Sequence, residues 1–203
     1  MNGNLLANRV RPGLLALALL APAAPLHAEL DRLIVPCGAA VCVWDRPRLT
    51  PPPGWAVDEE WSPRLQQLVL VPVGSSLAEA PARIVARVVE AEVAPDLERL
   101  IGQEQDRALG GSLTLTATRG ADLPAGSGPD WPTLTVASAN ADAGRQTLAF
   151  GRDGAAWVVL LLDARDAAEH ERALPALRAL LAGYRPVVGG VLSAAAGAAR
   201  RAN

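Results

Sequence analysis

The sequence predicts an α+β domain, a twisted antiparallel β-sheet of about six to seven strands with helices packed on it. Three observations carry that expectation. Strand-like segments come in runs, broken by one helix and closed by another, instead of alternating with helices as a parallel sheet requires. Ser112–Thr118, "SLTLTAT", alternates apolar and hydroxyl side chains, the pattern of a strand with one buried and one wet face. "RQTLAF" and "AAWVVLLL" flank "GRDG", where Asp153-Gly154 suits a tight hairpin turn because glycine supplies the positive φ such turns need.

Residues 1–28 read as a secretory signal peptide. Arg9 and Arg11 make a basic start, Leu14–Leu20 is a short apolar core, and "APAAPLHA" ends on the small Ala28, after which cleavage is expected. The core is too short to cross a bilayer, so no membrane span is expected after cleavage. Cys37 follows "IVP", the wrong setting for a lipoprotein anchor. Residues 29–187 read as a single domain, large enough to bury its own core without staples, and 188–203 as a small-residue tail, frayed or disordered. Losing the leader removes two arginines and no acid, which leaves 17 cationic against 21 acidic side chains and no lysine. Mild acidity without a basic patch offers no attraction to nucleic acid or anionic lipid.

The elements follow in order. Leu33–Asp45 holds two apolar runs around Gly38-Ala39-Ala40, a hairpin. Arg46–Gly54 is a connector that its prolines stiffen. Trp55–Ser62 and Gln67–Val73 read as strands, with Pro72 at a sheet edge or exit. Ala82–Val93 is rich in β-branched residues and reads as another. A helix follows with Pro95 at its first position, Asp96 and Glu98 against its N-terminal dipole, and Gly110-Gly111 as its stop. In the next strand Leu113, Leu115 and Ala117 are expected to face a core. Arg119–Pro132 is a long loop of the kind that is functional or mobile. Thr133–Ser138 is a strand candidate before the hairpin at Gly154. The last helix spans Asp166–Ala182, with Asp166 and Glu169 spaced as a capping box and Leu174, Leu177, Leu181 and Tyr184 as its apolar stripe. Pro175 inside it costs about 3 kcal/mol and predicts a kink or two short helices.

Residues that could carry chemistry are few. Cys37 and Cys42 in "CGAAVC" can form a structural bridge, stay reduced and buried, or act in redox. A bridge closing so small a loop contributes only about 2 kcal/mol. His170 is the one histidine outside the leader, and its neighbours Glu169 and Glu171 suggest a solvated helix surface. Two cysteines and one distant histidine do not complete a zinc ligand set. Ser75 and Ser76 follow Gly74 as a turn would, without a G-x-S-x-G elbow. Neither common nucleotide cradle is present, and no cofactor is expected. Asp58, Glu59 and Glu60 are adjacent, so on a strand they alternate in direction and form no acid–base pair by themselves. Asp122 and Asp130 lie in the long loop without a calcium-loop pattern, and no metal is expected. Tryptophan supplies five of the seven aromatic residues. Trp157, in an apolar strand, is expected in the core, whereas Trp61 and Trp131 adjoin polar or Gly-Pro-rich segments. A contact surface of Trp61, Asp122, Asp130 and Trp131 is the expectation that follows.

"PPPGWAVDEEWS", "LVLVPVGSSLAEAPARIVARVV" and the run from "LAFGRDG" to "HERALPALRALLAGYRP" together resemble the small α/β/α proteins of the PsbP/Mog1/DcrB-like group. The resemblance spans Pro51–Pro186 and leaves out the Cys37–Cys42 segment and the tail. It implies a sheet between helices and an accessory or binding role, and it brings no catalytic residue with it. The expected protein is therefore exported, periplasmic or secreted, and non-catalytic, serving an envelope protein or a small ligand. An envelope hydrolase using carboxylates or Ser75/Ser76 and a thiol-redox protein using Cys37/Cys42 are the alternatives.

Overall fold

The computed structural model describes residues 30–37, 40–140 and 142–185, without the side chains of Pro36 and Cys37. The segments expected to be a leader and a tail, residues 1–28 and 188–203, lie outside the described residues. Nine strands and three helices are described. β1 (Leu30–Cys37) and β2 (Ala40–Pro47) form a separate two-stranded hairpin. The other strands are β3 (Trp55–Val57), β4 (Leu68–Pro72), β5 (Ala82–Glu90), β6 (Leu115–Arg119), β7 (Thr133–Ser138), β8 (Arg145–Asp153) and β9 (Ala156–Ala164). They make one seven-stranded antiparallel sheet in the order β3-β4-β5-β9-β8-β7-β6. Three helices, α1 (Trp61–Leu65), α2 (Leu97–Leu109) and α3 (Ala167–Gly183), complete the α+β domain.

Strand alternation sorts the core into two faces. Val158, Leu160, Leu162 and Ala164 of β9 join Ile84 and Ala86 of β5 beneath α3 and the hairpin. Val159 of β9 joins Leu148 and Phe150 of β8 and Leu134 and Val136 of β7 beneath α2. β9 is apolar on both sides because both are covered, which is why its sequence runs unbroken and does not alternate. It also joins the sheet's halves, pairing with β5 on one side and β8 on the other.

Several local outcomes differ from the sequence expectation. The strand at Trp55 is only three residues long. Asp58 then turns the chain into α1, accepting the backbone N–H groups of Glu60 and Trp61 on one oxygen and that of Leu77 on the other. Pro95 precedes the helix; Asp96 is the cap and accepts the Arg99 N–H at 2.8 Å, closing one of the donors a helix start leaves open. Leu113 is fully exposed and lies outside β6, so the apolar face there begins at Leu115. Trp157 is half-buried, with its indole N–H donating to the Ala94 carbonyl at 2.8 Å and the Arg152 guanidinium 4.7 Å from its ring centre.

α3 is one continuous helix through Pro175. The lost backbone bond is outweighed because Leu177, Leu180 and Leu181 are buried against the sheet, each worth about 1.5–3 kcal/mol. Asp166 caps the helix by accepting the Glu169 N–H at 2.8 Å.

Candidate functional site

The stiff connector after β2 and the end of α3 come together over the β3 edge of the sheet. Between them lies a cleft of about 460 Å³. Val57, Leu68 and Leu180 give it an apolar lining, and Asp31, Arg46, Arg48 and Thr50 supply polar groups from the hairpin and connector. Glu59 enters from the turn between β3 and α1, and Tyr184 from beyond α3. Arg48 donates to Asp31 at 2.6 Å, while Arg46 stands 3.6 Å from the same carboxylate and 5.7 Å from the Trp44 ring centre. The Arg48 guanidinium, followed by Arg46, holds the Asp31 carboxyl below the usual carboxylate range. Mixed charge around an apolar lining suits a small ligand.

The expected contact surface does not assemble. Trp131 is 3% exposed, part of the core beneath α3, so a ligand-facing role is corrected. Its ring meets Tyr184 edge-on at 5.6 Å and lies over Gly151, where a Cβ would fall 2.1 Å from the ring. The long loop closes on itself through Leu123 and Trp131, which exchange backbone hydrogen bonds at 2.8 and 2.9 Å. Gly126 then docks the loop on α3 by donating to the Leu181 carbonyl at 3.0 Å. Asp122 and Asp130 remain exposed on that loop. Trp61 lies on α1 against β4, with Arg64 over its ring at 5.3 Å.

His170 is buried, at 3% exposure, which corrects the expectation of a solvated histidine. Its Nε2 shares a 2.8 Å hydrogen bond with the Thr147 hydroxyl of β8, and its Nδ1 has no hydrogen-bond partner, with a Glu171 oxygen 3.6 Å away. A hydroxyl, an imidazole and a carboxylate in sequence resemble a catalytic relay. Thr147 is itself buried beneath the first turn of α3, however, so a substrate would have to displace the helix to reach it. At the other end of α3 the Tyr184 hydroxyl donates to Asp153 of β8 at 2.5 Å, so both ends of the helix are tied to one strand.

Burial, and after it the Arg145 cation, holds the His170 imidazole below its ordinary pKa. An unfolded chain takes up that proton near pH 6.5, while the folded chain resists it. The stability this site contributes is therefore complete above about pH 6.5 and lost as the pH falls. Thermal melts between pH 7 and pH 5 should show the wild type losing stability more steeply than His170→Gln; parallel curves would refute this assignment.

Ser75 and Ser76 sit in the turn after β4, where Ser76 donates to Glu79 at 3.1 Å. Cys42 is disulfide-bonded. The side chain of Cys37, its expected partner, lies outside the described residues. Among the described residues no group of three or more His, Cys, Asp or Glu side chains is placed to hold a metal. No helix among them is long and apolar enough to cross a membrane.

The cleft could not be found from sequence because its walls come from segments near residues 31, 50, 59 and 184. His170 left a usable signal: stepping back along the helix from Leu177 through Ala173 at helical spacing reaches it. Trp131 left another, since it shares strand parity with the buried Thr133.

No protein-family model matches the chain. No curated protein matches it either. Among solved structures the chain is similar to a mutant of the protein Mog1, at 14% identity and a TM-score of 0.38, over 75% of this chain and 86% of that one.

Proposed function

We propose that the chain is an exported, non-catalytic accessory or binding protein of the cell envelope, working through the cleft between its hairpin connector and the end of α3. The cleft carries this reading: it is roomy, mixed in charge and lined partly by apolar side chains. Export rests on the leader-like first 28 residues. Two groups that could have supported hydrolysis are used otherwise, Asp58 holding backbone N–H groups and His170 bracing α3.

Thr50 is exposed at the cleft, so Thr50→Trp fills it without disturbing the core. A ligand or envelope partner that co-purifies with the wild type should be lost from Thr50→Trp and kept by Ser76→Ala. Equal recovery with Thr50→Trp would move the site elsewhere, and ester or peptide turnover abolished by Ser76→Ala would establish the hydrolase instead.

A further inference from the structure

We infer that the cleft selects a small zwitterion with an apolar body, the chemistry of a short apolar peptide. This rests on the binding reading above and names the ligand class. Arg48 and Asp31 are closely paired at 2.6 Å and largely neutralise one another. Arg46 differs: it reaches Asp31 only at 3.6 Å, beyond hydrogen-bond distance, and is positioned by the Trp44 ring. Its fork of donors remains able to take a carboxylate, which guanidinium matches in shape and charge. Glu59 belongs to a different segment, the turn after β3, and is exposed with no ion-pair partner among the described residues. It supplies an anionic pole for an ammonium group. Leu49 and Val57, both partly exposed, offer apolar contact within the same cleft. A purely anionic ligand would leave Glu59 repelling it, and a purely cationic one would meet Arg46; a molecule carrying both charges satisfies both poles.

The test is calorimetric titration of the whole protein with L-leucyl-L-leucine, its N-acetyl derivative, which lacks the cation, and its C-terminal amide, which lacks the anion. The free dipeptide should bind, and each capped form should bind at least about tenfold more weakly. Glu59→Gln, an exposed change that leaves the melting temperature in place, should weaken the free dipeptide to the level of the N-acetyl form. Arg46→Gln should bring the free dipeptide down to the level of the amide. Binding by none of the three probes, or equal binding of the free and N-acetyl forms, overturns the zwitterion. If a ligand still co-purifies and is lost from Thr50→Trp while no dipeptide binds, this inference falls and the binding reading stands. If no ligand depends on Thr50 either, both fall.

Discussion

Glu104→Gln should destabilise the folded chain by about 3–5 kcal/mol, because it removes the counter-charge of a buried cation. Glu104 is 3% exposed on the sheet-facing side of α2 and accepts Arg87 of β5 and Arg107 from one turn later. Arg107 reaches out to solvent, but Arg87 is mostly covered. Burial, and secondarily the Arg107 charge, already draws the Arg87 pKa down to about 10. Without the carboxylate no other acid among the described residues is paired with that guanidinium. In a chain of this size the melting temperature should fall by roughly 10 °C. The double variant Arg87→Met/Glu104→Leu should recover most of the loss, since an apolar pair of similar volume replaces charges whose desolvation was costly. Thermal melts of the two variants and the wild type decide it. A Glu104→Gln protein as stable as the wild type would mean that water already solvates the Arg87 guanidinium.

Gly151→Ala should cost about 1–3 kcal/mol, and possession of a methyl group is the whole cause. Gly151 is inside β8 with ordinary backbone, so alanine would normally strengthen the strand. Here its Cβ would lie 2.1–2.5 Å from three atoms of the Trp131 indole. The ring has little room to yield: Tyr184 stands against it edge-on, and the Leu123–Trp131 bridge fixes its backbone. Trp131→Leu alone should be destabilising through lost packing, yet Trp131→Leu/Gly151→Ala should be more stable than the sum of the two single losses predicts. Strict additivity in denaturant titrations would show that the clash is relieved elsewhere.

The sheet was legible where side-chain pattern and burial agree. Leu68–Pro72, Ala82–Glu90 and the hairpin through Gly154 fall where apolar runs and turn residues place them. The Asp166 cap was likewise readable. Reading failed where neighbours in sequence differ from neighbours in space. His170 stands between two glutamates yet points inward, because a helix turns successive residues to different faces. Trp131 follows an exposed aspartate yet lies in the core, because Gly151 on another strand opens the space for its ring. Leu113 continues an alternating pattern but has no partner strand to place it, so it stays in solvent. Polar positioning by Asp58 was equally hidden, since one of its partners is nineteen residues away.

The place of β9 has a consequence for how the chain acquires this structure. A nascent chain that stops short of Ala156 can form the β3-β4-β5 ladder and the β6-β7-β8 ladder, but nothing then connects them. Closure waits for β9, the last strand among the described residues, and contacts so distant along the chain form slowly. A polypeptide built this way keeps two half-sheets apart until β9 docks between β5 and β8 and makes them one.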